Sequence, residues 1–369
     1  MVRSILFAAA ALAVSVSAIP MESKRDALFK ISTAPGSIQE VTEAQKYELK
    51  AQGVKFFDFT DEGSLPDEVE VAAVTYPTAV QQADAVNALL PSLSEDKLKT
   101  TLTTFASFHN RYYKSTYGQQ SSAWLLKQVQ AIITAASPSA NVTATPFTHS
   151  WGQSSIIATI PGQTDNIVVL GAHQDSINAR SPQNGVAPGA DDDGSASMEL
   201  IETFRVLLTD AKVAAGEAVN TIEIHWYSAE EGGLLGSKAI FNSYKADGKV
   251  VKAMLNQDMA GYVKPGTTES IGLFTDYVDT SLTTFIGKVI AAYTKLPAVS
   301  TKCGYACSDH ASARNAGYPA ALISEAAFED TSQLLHTAQD TLDTITFSHL
   351  VEMAKVALGT AYELGFATL

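Results

Sequence analysis

Runs of β-branched and other apolar residues alternate with amphipathic segments over most of the chain. The apolar runs predict strands at 155–160, 166–171, 221–227, 250–255, 271–274 and 320–323. The amphipathic segments predict helices at 122–136, 195–208, 235–244, 281–293 and 347–364, and a further helix that begins near Ser94. This alternation is typical of an α/β fold. It predicts a three-layer αβα sandwich with a mostly parallel central sheet in a single domain.

The first 75 residues differ from the rest of the chain. An apolar run from Ile5 to Val16 follows Arg3, which is typical of a secretory signal peptide, here cleaved after Ala18. The run is too short for a membrane span, although an anchor is the alternative, and no later stretch predicts a span. Residues 19–75 are highly charged and contain no histidine. We predict a signal peptide at 1–18, a pro-segment with short helices at 19–75, and the main domain at 76–369. The alternative is an N-terminal extension that stays attached.

Charge and cysteine content narrow the class of protein. The chain has 25 Lys and Arg against 39 Asp and Glu, and such an acidic surface argues against nucleic-acid binding. The two cysteines, Cys303 and Cys307, most simply form a disulfide in an exported protein, with a thiolate metal pair as the alternative. Asn141 begins a glycosylation sequon, which has meaning only in a secreted chain. We therefore expect a secreted, extracellular glycoprotein.

Five short polar stretches suggest a metal site. Those around His173, Glu230 and Asp258 fall just after predicted strands, and ligand sites in such sheets gather at the carboxyl ends of strands. Together the stretches supply imidazoles and carboxylates but no thiolate, which suits two hydrolytic zinc ions that share a carboxylate. In chain order the stretches are His173-Gln174-Asp175, Asp191-Asp192-Asp193, Glu230-Glu231, Asp258-Met259 and His336-Thr337.

Each stretch alone has a simpler explanation. His173 could be an ordinary loop histidine, and the glutamate pair could lie in a solvated loop. The three aspartates could cap a helix, but three exceed what one cap needs, because their mutual repulsion costs free energy without a cation. Among the other histidines, His310 beside Asp309 is the only rival ligand.

Read in order, these stretches resemble the motifs of a known enzyme family. The motifs His-x-Asp, Gly-Ala-Asp-Asp-Asp, Glu-Glu-Gly, Asp-Met and His-Thr-x-x-Asp-Thr are similar to those of the co-catalytic di-zinc aminopeptidases, and in particular of secreted fungal leucine aminopeptidases. The resemblance runs from about residue 76 to the C-terminus. It implies two zinc ions bridged by Asp192. His173 and Asp258 would complete one ion, and Glu231 and His336 the other.

The resemblance also implies catalytic roles. Glu230 would be the general base on a water between the ions, and Asp175 would support the site from behind the ligands. Tyr305, inside the 303–307 disulfide loop, would donate to the substrate carbonyl oxygen. A cis peptide bond at 192–193 is implied as well.

The implied activity is removal of the first residue from peptides with a free N-terminus, with a preference for leucine or other apolar residues. The pocket candidates are Met259, Leu322, Phe328 and Leu335, each of which could equally be ordinary core. The alternatives are a zinc carboxypeptidase or deacylase of the same fold, and a non-catalytic ectodomain. The first needs a basic residue near the site, where the sequence offers only Lys238, Lys302 and Arg314; the second predicts missing ligands, and none is missing. We expect a monomer that binds neither nucleic acid nor membrane.

Overall fold

The N-terminal segment folds as a small sheet with one helix. The computed structural model describes residues 27–34, 36–62 and 69–369, so the predicted signal peptide lies outside the described part. The first of these residues form three antiparallel strands in the order β2-β1-β3 and a helix whose start is capped by Thr42. The prediction of short helices is therefore wrong for most of this segment, because alternating residues such as Ile31 and Val41 pack on one face of a sheet. The elements are β1 (Leu28–Ala34), β2 (Ser37–Thr42), α1 (Glu43–Ala51) and β3 (Phe57–Asp58).

An eight-stranded, mostly parallel sheet forms the centre of the domain. Its strand order is β10-β9-β11-β8-β6-β7-β5-β4, and antiparallel pairing is confined to β4·β5, β5·β7 and β9·β11. Two strands, β4 and β10, were not predicted; both are short edge strands with exposed residues, and β4 contains Pro146. The strands are β4 (Thr143–Phe147), β5 (Ser155–Ile160), β6 (Thr164–His173), β7 (Asn220–Tyr227), β8 (Val250–Gln257), β9 (Ile271–Phe274), β10 (Ala298–Thr301) and β11 (Ala320–Ser324).

Helices cover both faces of this sheet. Along β6, Val168 and Leu170 pack into the larger core with the helices of one face, whereas Ile167 and Val169 pack with α7 and α9 on the other. This arrangement confirms the three-layer αβα sandwich. Among the residues described, no helix has the length and apolar content needed to cross a bilayer. The helices are α2 (Ala83–Leu89), α3 (Glu95–Phe105), α4 (Thr116–Ala136), α5 (Gly194–Leu207), α6 (Ala211–Ala214), α7 (Leu235–Ala246), α8 (Thr280–Tyr293), α9 (His310–Asn315) and α10 (Phe347–Gly365).

Candidate metal centre

The carboxyl ends of three neighbouring parallel strands bring the predicted ligands together. His173 ends β6, Glu231 lies in the turn after β7, and Asp258 follows β8 directly. Because β6 pairs in parallel with both β7 and β8, these three strand ends lie at one edge of the sheet. Asp192 comes from the turn before α5, and His336 from the loop after β11.

Asp192 lies between the two histidines. Its Oδ1 is 3.0 Å from His173 Nε2, and its Oδ2 is 3.0 Å from His336 Nε2. Asp258 Oδ1 lies 3.8 Å from His173 Nε2, and Glu231 Oε2 lies 3.3 Å from His336 Nε2. The five side chains thus form two halves that share one carboxylate, which is the arrangement that the family resemblance implies.

The side chains present fit divalent cations. His173 Nε2, Asp192 Oδ2, Glu231 Oε1 and Asp258 Oδ1 are buried, and none meets the geometry of a hydrogen bond. Buried polar atoms are costly without a partner, and converging imidazole and carboxylate atoms are ligands that zinc accepts. Candidate ligand atoms lie within 4.8 Å of one another in two groups, and His310 joins neither. The groups are His173, Asp193 and Asp258, and Asp192, Glu231 and His336.

The three consecutive aspartates have three separate partners. Asp191 Oδ1 accepts from Gly261 N at 3.0 Å, while Asp193 accepts from the backbone nitrogens of His173 and Met259 at 3.2 and 3.1 Å. Asp193 is also the N-cap residue of α5, but its side chain makes no capping bond. Helix capping therefore does not explain the cluster. Asp192 is left facing the histidines, and the 192–193 peptide bond is cis.

Asp175 holds the backbone of the glutamate pair. Its Oδ1 accepts from Glu230 N at 3.0 Å and its Oδ2 accepts from Glu231 N at 3.2 Å. The same carboxylate lies 3.5 Å from Nδ1 of His173, whose Nε2 faces the centre. Asp175 thus lies behind two of the predicted ligands and orients both.

Glu230 is separate from the ligand groups. It is buried, belongs to neither group of converging atoms, and lies beside Glu231. Burial raises the pKa of Glu230 to about 7, although nearby Lys50 opposes the shift. A carboxyl group with such a pKa can both accept and return a proton near neutral pH.

The loop that carries Tyr305 is closed by a disulfide. Cys303 and Cys307 are joined, with their Cα atoms 6.2 Å apart. Both carboxylate oxygens of Asp276 accept from this loop, from Cys303 N at 3.2 Å and Gly304 N at 2.7 Å. The Tyr305 hydroxyl is buried and has no hydrogen-bond partner, and burial raises its pKa to about 12. Tyr305 is therefore a protonated donor at neutral pH.

Two residues that hold the backbone around the centre were not predicted from the sequence. Asp340 accepts from Asp191 N at 2.9 Å and from Asp192 N at 3.0 Å, and it was visible only as the aspartate of the last motif. The guanidinium of Arg111 is buried and donates to the carbonyl oxygens of Gln174 and Gly189, both at 2.8 Å. No local pattern signals Arg111, because its partners are backbone atoms remote in sequence.

Three of the four pocket candidates line one small cavity beside Asp258. These are Met259, Leu322 and Phe328, joined by Phe274, which the sequence analysis missed. Leu335, which precedes His336 in the loop after β11, does not line this cavity. The remaining lining residues include both cysteines and Lys55 of the N-terminal segment.

Two lysines of the N-terminal segment reach the centre, which the sequence analysis did not foresee. Lys50 donates to Glu231 Oε2, and its Nζ lies 3.6 Å from Glu230 Oε2. Burial lowers the pKa of Lys55, but Tyr305 and Asp258 outweigh burial and hold it well above its usual range. Lys238, one of the three basic residues near the motifs, donates to Asp58 O at 2.8 Å and does not face the centre.

Comparison with known proteins identifies the family. Residues 155–361 match Peptidase family M28. The chain belongs to this family. It is 52% identical to "Leucine aminopeptidase 1" of Ajellomyces dermatitidis, over 92% of this chain and 90% of that protein. It is 51% identical to the protein of the same name from Colletotrichum graminicola, over 92% and 86% of the two chains. A crystal structure of the Legionella pneumophila LapA aminopeptidase superposes with a TM-score of 0.80 at 27% identity, covering 90% of this chain and 92% of that one.

These relatives confirm the resemblance seen in the five motifs. The M28 chain described here is accordingly an aminopeptidase and a metallo-exopeptidase. The reading as a non-catalytic ectodomain loses its support, because the predicted ligands are all present and converge.

Proposed function

We propose that this chain is an extracellular aminopeptidase that binds two zinc ions and releases an N-terminal leucine or another apolar residue from peptides. The observation that carries the proposal is Asp192, which presents one carboxylate oxygen to each half of the centre. The names of the fungal relatives support leucine as the preferred first residue. When bound, the two ions would polarise the substrate carbonyl and lower the pKa of a water molecule.

The chain's own residues supply the remaining chemistry. Glu230 takes the proton of the attacking water and returns it to the leaving amine, since its carboxyl group is free of the ligand groups. The hydroxyl of Tyr305 donates to the oxygen that develops negative charge. The cavity lined by Met259, Phe274 and Phe328 takes the first side chain, and its apolar walls favour leucine.

The division between base and ligand can be tested by two matched variants. Glu230→Gln should keep its metal and lose turnover by on the order of 10²–10⁴-fold, because only the proton acceptor is removed. Glu231→Gln should instead lose metal affinity, as expected of a ligand. Steady-state kinetics together with metal analysis of both variants distinguish the two effects. The reverse pair of phenotypes would show that base and ligand have been exchanged.

Substrate class separates this proposal from a carboxypeptidase or deacylase. Either alternative needs a cation to hold a substrate carboxylate, and the lysines placed at the described centre, Lys50 and Lys55, belong to the predicted pro-segment. Hydrolysis of Leu-, Lys- and Glu-p-nitroanilide should be fastest for leucine. N-acetylation of the leucine substrate should abolish cleavage, and cleavage of the acetylated compound would favour a deacylase.

The proposal also includes export of the chain and removal of its N-terminal residues. We propose removal of residues 1–18 on export and of 19–75 afterwards, which leaves Tyr76 packed on Phe285 with its hydroxyl donating to Lys252 O at 2.6 Å. Asn141 is exposed, as a glycosylated residue must be. The mature protein is proposed to act as a monomer, which sedimentation of the secreted form would test.

A further inference from the structure

Helix α1 of the N-terminal segment ends against the candidate metal centre. Its penultimate residue, Lys50, is 4% exposed, and its ammonium group donates to Glu231 Oε2. The same oxygen faces His336 Nε2 at 3.3 Å. The lysine therefore reaches into the half of the centre formed by Asp192, Glu231 and His336.

A buried ammonium group meets the same electrostatic need as a metal ion here. Carboxylates taken out of water are costly unless a cation or hydrogen bonds compensate them. Lys50 brings such a charge to Glu231, and Lys55 lies in the cavity beside Asp258. An ammonium group and a divalent ion on one carboxylate oxygen would repel each other strongly, because a buried site screens charge poorly.

We propose that Lys50 and the metal ion of this half are alternative occupants of Glu231, so that the docked N-terminal segment keeps this metal position incomplete. The inference rests on the proposed function, which assigns Glu231 as a ligand. By linkage, the segment and the metal ion weaken each other's binding by the same factor. Departure of the segment therefore completes the centre and also opens the mouth of the site.

The segment has anchors that do not involve Lys50. The carbonyl of Asp58 accepts from Lys238 Nζ at 2.8 Å, and its amide donates to Gly233 O at 3.3 Å, whereas its carboxylate pairs within the segment with Lys46 at 2.7 Å. Phe57 and Phe59 are buried against Leu234 and Ala311 of the domain. Replacing Lys50 should therefore leave the segment docked, so its charge can be tested separately from its docking.

The test compares the full chain, with its segment attached, and the chain after the segment has been removed. The number of zinc ions per chain is measured by elemental analysis after equilibrium dialysis of both forms against the same free zinc concentration. Intact mass spectrometry shows whether the segment is still attached. The attached wild-type chain should hold about one zinc ion fewer than the cleaved chain, since the segment competes by mass action. Lys50→Gln should recover that ion without cleavage. Lys30→Gln, on β1, removes the same charge outside the ion pairs of the centre and should match the wild type.

Each result has a distinct meaning. Equal zinc content and affinity in the attached and cleaved wild-type chains would overturn the inference, and this comparison needs no variant to fold. A Lys50→Gln chain that gains no zinc while the cleaved chain does would also overturn it, because the segment would then act by bulk. If the cleaved chain holds fewer than two ions, the proposed function itself is at fault.

A second readout does not depend on metal analysis of the product. Zinc should speed release of the segment by an added protease, by a factor within the usual range of such coupling, about 5–150-fold. In Lys50→Gln zinc should have little effect on this rate. An identical zinc response in the wild type and Lys50→Gln would contradict the inference.

Discussion

The central sheet and the N-terminal segment meet at the same carboxylates, but they contribute opposite charge and are held in different ways. The sheet side presents imidazoles and carboxylates from strand ends, fixed by bonds from carboxylates such as Asp175 and Asp340 to backbone amides. The segment presents two lysines, Lys50 near the end of helix α1 and Lys55 in the loop that follows this helix. The domain therefore holds its candidate ligands in place without bonds from the segment, whereas the two lysines of the segment depend on carboxylates of the domain for their partners.

This difference indicates which region can be removed. The candidate ligands of the domain lie at one edge of an eight-stranded sheet, and a hydrophobic core covers each face of this sheet. The segment's own cluster of buried residues consists of Ile31, Val41 and Phe56, with partly buried neighbours. A segment this small buries little apolar surface by itself, so the docking contacts supply much of its stability. We therefore expect that removal of the metal lowers activity, whereas removal of the segment raises it.

Metal removal should have the largest effect. A chelator should abolish activity, and zinc should restore it, because four buried atoms of the candidate ligands make no hydrogen bond and the chemistry needs a cation there. Activity against Leu-p-nitroanilide is followed during chelation and readdition, with magnesium as the control ion. Full activity at clearly fewer than about two zinc ions per cleaved chain would contradict the co-catalytic proposal.

Removal of the segment should have the next largest effect, and in the opposite direction. Docking that favours the closed form by about 2.7 kcal/mol leaves roughly one chain in a hundred open, so kcat/KM should rise about 100-fold or more on cleavage. N-terminal sequencing of the secreted, active form should begin close to Tyr76. A fully active protein that still begins at Ile19 would contradict both removal and inhibition.

The same contrast explains how far the sequence could predict the fold. The strands Ser155–Ile160 and Ile271–Phe274 match their predicted limits, because both are short, largely buried runs that are rich in apolar residues. The edge strand Ala298–Thr301 has three exposed residues and lacks that signal. Helix Thr116–Ala136 begins earlier than predicted because the hydroxyl of Ser115 caps it through Gly118 N at 2.9 Å.

The residues of the site also differ in whether a local sequence pattern could predict them. The convergence of candidate ligands such as His173 and Asp258 could be predicted, because their position at the end of a strand is a local property of the sequence. Arg111 and Lys50 could not be predicted, since each acts through contacts with residues distant in the chain. The segment's strands were mistaken for helices because its high charge obscured the alternation of apolar residues.

Loss of the Tyr305 hydroxyl should have an effect of comparable size to removal of the segment. Tyr305→Phe removes one donor to the developing oxyanion, and kcat should fall by about 10²–10³-fold. The free energy of unfolding should change little, because this hydroxyl has no hydrogen-bond partner in the folded protein. Kinetics and denaturant unfolding of the cleaved enzyme provide the measurement, with the exposed Tyr117→Phe as control. A large loss of stability with unchanged kcat would assign Tyr305 a purely structural role.

The smallest effect should come from Asp58, the buried anchor of the segment. Asp58→Asn keeps the shape of the side chain but leaves Lys46 of the same segment without its counter-charge, which should destabilise the folded segment, and with it the docked state, by about 1–3 kcal/mol. The full, uncleaved chain should then be more active than the wild type by about 5–100-fold, and the cleaved enzyme should be unaffected. Asp61→Asn, an exposed change of the same charge in the same segment, is the matched control.

The pH dependence of segment opening tests the same ion pair, between Asp58 and Lys46. Burial raises the pKa of Asp58, but the paired ammonium of Lys46 and the bonds from Thr60 outweigh burial, and the net pKa is lowered. A carboxyl group with a lowered folded-state pKa stabilises docking fully above its unfolded-state pKa, and this stabilisation is lost as the pH falls through the folded-state value. Amide hydrogen exchange at residues 57–59 of the uncleaved chain, corrected for intrinsic rates, should therefore show more frequent opening in acid. Asp58→Asn should lose most of this dependence; an unchanged acid response would place the responsible group elsewhere.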